Sequence, residues 1–244
     1  MPRLPEKSFA EGEDITISMS ASSIFTADTV RFFRELSRDN NKTWMDANRE
    51  RYKSAVVEPF RALLDRLAPE ARKLNPQFVA SGRVGDNFSR INRDIRFARD
   101  KTPYRPQMYL HFAEAGGEGG QIYLGISADC VTCGFRIYGG KKTSALVQIG
   151  RVRGSEHGAW LKRQEKRIGK KYESYWYTSE KGVWTKHAGW PLEPQDWKKI
   201  QGWVVRKKFP AAAASRASLG SDVAKIFRDV MPLLQFAGSA KWKP

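Results

Sequence analysis

An α+β fold is predicted for this chain, with N-terminal helices packed on an antiparallel β-meander, followed by a basic helix and a C-terminal core helix. Three observations predict it. Apolar residues recur at helical spacing as far as Leu67, the period shortens to that of strands beyond the Asn75-Pro76 turn, and the helical period returns after Ser221. With 41% hydrophobic residues, including 13 Phe and 8 Trp, the 244-residue chain can bury a sizeable core without disulfide staples.

Residues 1–23 read as a disordered leader, acidic and marked by Pro2, Pro5 and Gly12, with Met19 an alternative start, and residues 24–244 as one domain. Ala27 to Arg38 is a helix with Val30, Phe33 and Leu36 facing inward, stopped by Asp39-Asn40-Asn41, after which Thr43 is expected to cap the next. That helix carries Trp44, Ala47, Arg51, Tyr52 and Ala55 on one face, kinks or restarts at Glu58-Pro59, and continues through Phe60, Leu63, Leu64 and Leu67. Gln107 to Phe112, Ile122 to Ser127 and Thr132 to Tyr138 are strands, separated by a flexible glycine-rich loop at 115–120 and a tight turn at Ala128 to Val131. Ala159 to Tyr175 is an amphipathic helix whose sector of Leu161, Ile168, Tyr172 and Tyr175 opposes a cationic half. A hairpin around Lys181-Gly182, a strand at Trp203 to Lys207, and a core helix capped by Ser221 complete the chain.

Between the helical and strand-rich parts lies Gly82 to Phe112, where Arg90, Arg93, Arg96 and Arg99 recur every third residue, Lys101 and Arg105 extend the series, and Asp86, Asp94 and Asp100 are interspersed. Each guanidinium is a planar fork matched to phosphate or carboxylate. As a strand, Phe88 to Asn92 would send Arg90 and Asn92 to one face; as a helix, the stretch would string its arginines along one drifting face. Two runs, N-N-K-T-W-M-D-A-N-R-E-R-Y from Asn40 and R-I-N-R-D-I-R-F-A-R-D-K-T-P-Y-R from Arg90, resemble the signature of the DUF2461 family of uncharacterised proteins. The resemblance covers about Phe25 to Gly140 and the terminal helix; residues 141–210 depart from the family pattern. It implies no particular activity, but it raises Asn40, Asn41 and Asn48 from turn-closing residues to candidate pocket residues. Candidate ligand contacts are Arg90, Arg93, Asp94, Arg96, Asp100, Lys101, Tyr104, Arg105, Asn41, Trp44 and Asn48, with Trp44 and Tyr52 as stacking rings or core residues.

The formal net charge of +17, from 43 Lys and Arg against 26 Asp and Glu, points to an anionic partner. It is concentrated in residues 141–210, which hold 17 basic and 6 acidic side chains, while residues 1–30 hold 2 and 5. Lys162, Arg163, Lys166, Arg167, Lys170 and Lys171 form a candidate polyanion surface, and six of the eight tryptophans lie between Trp160 and Trp203, either as stacking rings or as a second small core. Cys130 and Cys133 form a C-x-x-C on a strand turn, where no helix N-terminus lowers a thiol pKa, and His111, His157 and His187 show no ligand spacing, so neither metal nor cofactor is expected. His111 is expected to be a satisfied core or rim histidine. No secretory leader or long apolar run is present, which makes cytoplasmic the expected location and excludes a membrane span.

Three classes of function remain. The first is a binding protein for nucleic acid or a phosphorylated ligand, resting on the arginine run and the basic, Trp-rich segment. The second is an enzyme on a phosphate-containing substrate, with Asp86, Asp94 or Asp100 as metal ligand or base; the sequence lacks D-x-D, Walker, G-x-S-x-G or GxGxxG patterns that would support it. The third is an interaction module in which Arg and Asp pair with each other to hold the fold. Polyanion binding is the leading expectation.

Overall fold

The computed structural model of the chain describes residues 23–115, 120–139, 151–154, 156–238 and 242. The leader up to residue 22, the Met19 start and most of the glycine-rich loop lie outside those residues. Four helices open the fold: α1 (Ala27–Arg38), α2 (Lys42–Ala47), α3 (Arg49–Tyr52) and α4 (Glu58–Leu74). The period of α1 carries Val30, Phe32, Phe33 and Leu36 into the core. Asn41, not Thr43, caps α2 by accepting a hydrogen bond from the Trp44 amide. The break before Pro59 is a π-helical turn, Lys53–Val57. There the Ala55 carbonyl accepts the Thr29 hydroxyl of α1 at 2.7 Å, while Arg51 of α3 bridges Asp28 and Glu35 of α1.

Six antiparallel strands follow: β1 (Gln107–Phe112), β2 (Gly120–Ser127), β3 (Cys130–Tyr138), β4 (Glu173–Glu180), β5 (Val183–Ala188) and β6 (Ile200–Pro210). Their spatial order is β1-β2-β3-β6-β4-β5. The expected meander, hairpin and single strand are therefore one sheet, because β6 returns to pair with both β3 and β4. The hairpin turn has Lys181 at φ 49° and Gly182 at φ 81°, the left-handed pair a two-residue connection needs. Among the further helices are α5 (Gly158–Ile168), α6 (Pro194–Lys199) and, after a 3₁₀ turn at Ala211–Ser215, α7 (Leu219–Gly238). α7 starts two residues before the expected cap, and the Ser221 hydroxyl instead donates to the Ser218 carbonyl at 2.8 Å. No helix of the described residues is long and apolar enough to cross a membrane.

The pleat divides the sheet into two unlike faces. One carries Met108, Leu110 and Phe112, Ile122, Leu124 and Ile126, and Val131, Cys133 and Phe135, which share a core with α1, α4 and α7. Trp197 and Trp203 are buried in that same core, their rings 5.4 Å apart and their indole N–H groups bonded to Pro191 and Ser174. The tryptophans of the basic segment thus mostly serve packing: Trp176, Trp197 and Trp203 are buried, Trp160 and Trp190 lean on the core, and Trp184 is exposed. Cys133 is buried and Cys130 stands three residues away on the opposite side of the strand, both as free thiols. Burial holds the Cys133 thiol pKa well above its ordinary value.

Asn87, fully buried, ties the loop between α4 and β1 to the sheet. Its amide donates to the carbonyls of Val79 (2.8 Å) and His111 (3.0 Å), and its oxygen accepts from the amides of Ser81 (2.9 Å) and Gly82 (3.1 Å). Asn87→Ala strands four backbone groups, and a loss of about 2–4 kcal/mol is expected in urea denaturation, against about 1 kcal/mol for the exposed cap variant Asn41→Ala. Equal losses in the two variants would contradict this assignment.

Candidate functional site

Residues 79–106 form neither a strand nor a helix but a loop stitched by isolated bridges, Phe88 to Leu110 and Asn92 to Tyr104. The two signature runs meet here. The Asn40 side chain donates to the Tyr104 carbonyl at 2.9 Å and accepts the Tyr104 amide at 3.0 Å, the pairing a strand would otherwise supply. Three of the loop's cations are engaged within the loop itself. Arg93 donates to Asp100 and to the Thr102 carbonyl and hydroxyl, Arg96 chelates Asp94 through Nε (3.0 Å) and Nη2 (2.7 Å), and the Lys101 ammonium donates to the Ile95 carbonyl at 3.0 Å. The Thr102 amide, the Thr102 hydroxyl and Arg93 hold the Asp100 carboxyl down at about 2. Arg90, Arg99 and Arg105 are exposed and engage no side-chain partner among the described residues, and Phe97 is 95% exposed with the Arg96 guanidinium 6.0 Å from its ring. Asn41 and Asn48 serve the turns of α2, Asn48 bonding back to the Trp44 carbonyl at 2.9 Å, and Trp44 packs on Phe32 at 5.4 Å.

The basic helix is shorter than its period suggested. α5 ends at Ile168, and at the Gly169 that follows a methyl would fall 2.5 Å from the Glu165 carbonyl oxygen. Lys170 and Lys171 are therefore in a turn, Tyr172 just before β4, and Tyr175 on it. Lys162, Arg163, Lys166 and Arg167 remain exposed on the helix, Arg167 also donating to the Asp229 carbonyl at 2.6 Å. Other cations of the segment are likewise used in the fold: Arg151 donates to the Ile200 carbonyl and Arg153 to those of Gln235 and Phe236 at the end of α7. The Lys170–Lys171 turn faces the end of β6 across an open groove of about 540 Å³, lined by Lys170, Lys171, Tyr172, Glu173, Arg206, Lys207, Lys208 and Phe209.

The second face of the sheet holds a cluster that the sequence reading missed. Arg136 lies between two rings, 4.7 Å from Tyr109 and 4.6 Å from Tyr123, and donates to Gln121 at 3.0 Å. Gly125 makes this layer possible, since a methyl there would fall 2.6 Å from Cδ1 of the Tyr109 ring. On β4, Tyr175 receives the Lys186 ammonium at 4.0 Å and the Arg206 guanidinium at 5.1 Å, and Arg206 also pairs with Glu173 at 3.0 Å. Tyr123 and Val204 are buried here yet stand outside the hydrophobic core. The signal available in the sequence was alternation: Tyr109-x-His111, Gln121-x-Tyr123-x-Gly125, Gly134-x-Arg136-x-Tyr138 and Tyr175-x-Tyr177 place polar and aromatic residues on one side of their strands.

His111 stands on this face opposite Tyr123. Contrary to expectation it is not fully satisfied, for its Nδ1 is buried without a hydrogen-bond partner. Burial, then the Arg136 charge, holds its pKa down at about 4, against the opposing effects of a Gly85 backbone hydrogen bond and Asp86. Burial is likewise the first cause that raises the hydroxyl pKa values of Tyr123, Tyr138 and Tyr175, and neighbouring tyrosines add to it, while Arg206 and Arg136 oppose it at Tyr123, Arg136 at Tyr138 and Arg206 at Tyr175. No group of three or more His, Cys, Asp or Glu able to hold a metal ion occurs among the described residues.

A family model described as a conserved hypothetical protein (DUF2461) matches residues 28–236, and so includes residues 141–210, where the signature runs alone gave no correspondence. No curated protein matches the chain.

The depressed His111 pKa has a definite sign. Between pH 6.5 and about 4 the unfolded chain takes up a proton that the folded protein refuses, so stability is complete above pH 6.5 and falls as the pH drops through that window. Thermal melts should therefore fall between pH 6.5 and 5, and His111→Gln should flatten that decline. An equal decline in the variant would contradict the buried neutral imidazole.

Proposed function

The chain belongs to the DUF2461 family, and from its geometry we propose that it binds a polyanion through the groove between the Lys170–Lys171 turn and β6, not through the arginine run. One observation carries this reading: five cations, Lys170, Lys171, Arg206, Lys207 and Lys208, surround one groove whose carboxylate, Glu173, is already paired with Arg206. Burial works against the Arg206 charge, yet Tyr175, Tyr123 and Glu173 together hold its pKa above the ordinary value. Lys207 keeps its ammonium 4.9 Å from the Tyr172 ring, which orients it at the groove wall. The exposed Lys166 and Arg167 of α5 precede the turn directly and extend the same field.

The arginine run supports a different role. Arg93, Arg96 and Lys101 spend their donors within the loop, so their geometry is that of a brace. The phosphorylated-ligand part of the expectation moves with the groove, where the ammonium groups of Lys170, Lys171 and Lys208 have no carboxylate partner among the described residues.

Counterion release makes the test quantitative. Each phosphate neutralised on a single strand contributes a log-log salt slope of about −0.7. In fluorescence-anisotropy titrations of a single-stranded oligonucleotide, the triple variant Lys171→Gln, Lys207→Gln, Lys208→Gln should weaken binding and reduce the slope by up to about 2 units, while Arg99→Ala changes neither. An oligonucleotide that fails to bind at low salt, or a triple variant with an unchanged slope, would overturn the proposal.

A further inference from the structure

At the far end of the sheet's second face from the basic groove, three rings form a patch that the core does not use. Tyr138 on β3 and Tyr177 on β4 both stand opposite Gly202 of the intervening β6, and Trp184 follows on the edge strand β5. Gly202 makes the patch continuous: a methyl there would fall 2.7 Å from Cδ1 of Tyr138, so the bare backbone lets that ring reach across β6. The centroids are 5.9 Å (Tyr138 to Tyr177), 6.5 Å (Tyr138 to Trp184) and 5.9 Å (Tyr177 to Trp184) apart, with tilted or edge-on planes. Trp184 remains 44% exposed. A large apolar ring left half in water on an edge strand is costly unless something covers it.

Gly202 and Lys208 are six residues apart on one strand, or about 20 Å, so the ring patch and the groove mark the two ends of a single track. Arg206 lies between them, lining the groove and touching Tyr175 on the face. Along β6 and its neighbours the surface therefore passes from rings, through the ring-stacked Arg206, to Lys208 at the groove. A flexible chain that carries both phosphates and planar bases complements that sequence of surfaces, whereas a polyanion without rings complements only the groove. Resting on the polyanion reading above, we infer that the ligand is a single strand of nucleic acid, with its phosphates in the groove and its bases on Trp184, Tyr177 and Tyr138.

Phosphate contacts and base stacking separate cleanly by experiment, because only the former set the salt slope. Wild type, Trp184→Ala, Trp184→Phe and Tyr177→Leu are titrated with a single-stranded oligothymidylate and with inorganic polyphosphate of matched charge. The inference expects Trp184→Ala to weaken oligothymidylate binding by about tenfold or more with no change in slope, to leave polyphosphate binding unaltered, and to be largely rescued by Trp184→Phe. Tyr177→Leu should act in the same direction, and the wild-type tryptophan fluorescence should be quenched by the oligonucleotide but not by polyphosphate. Polyphosphate binding as tightly as the oligonucleotide, or Trp184→Ala binding both as wild type does, would overturn the inference while leaving the groove intact. If neither ligand binds wild type at low salt, the polyanion reading fails as well.

Discussion

Successive residues of a strand point to opposite sides, and the rest of this structure follows from how six strands use that constraint. One side of the sheet is apolar through β1, β2, β3 and much of β6 and packs against α1, α4 and α7, with Phe112 and Phe227 6.1 Å apart at the contact. The other side cannot be apolar as well without exposing a second core surface to water. It is built instead from side chains with an apolar body and a polar end, Tyr and Arg, laid over one another. Arg136 between Tyr109 and Tyr123 is the centre of that layer. Each such contact contributes about 0.5–2 kcal/mol, so the layer stabilises itself while leaving charged ends at the surface.

The arginine-rich loop, which looks in sequence like the functional centre, is held for structural reasons. Asn40 and Asn87 substitute side-chain amides for missing strand partners, each in a two-way bond with backbone. Buried amide bonds of this kind are costly to remove, whereas the exposed Arg96–Asp94 pair contributes little. The two signature runs are thus complementary halves of one clasp, Asn40 from the first and Tyr104 from the second. The loop leaves Arg90, Arg99, Arg105 and Phe97 exposed.

Much of this was legible from residue patterns where the determinants are local. Ala27–Arg38 is fixed by a single strong period, and the β4–β5 hairpin by Lys181-Gly182. Non-local determinants were not legible. Nothing in Ile200–Pro210 alone says that it will lie between β3 and β4, and that insertion merges the tryptophan-rich segment with the main core. Tyr172 and Tyr175 fitted a helical period by coincidence, because a turn and a strand start can mimic it over a few residues, and the helix ends at Ile168, just before Gly169. Of the candidate site, Lys170 and Lys171 were named, but their partners Arg206, Lys207 and Lys208 are too distant in sequence to be joined to them without the fold.

The central claim is that the working surface is the end of β6 with β4 and β5, and not the arginine run. Amide hydrogen exchange with and without a saturating single-stranded oligonucleotide tests it most directly, since it reports every segment at once. Slowed exchange at the Lys170–Lys171 turn, β4, β5 and β6, with residues 90–105 unchanged, is the predicted result. Protection confined to residues 90–105, or none anywhere under conditions where the oligonucleotide is bound, would contradict the account.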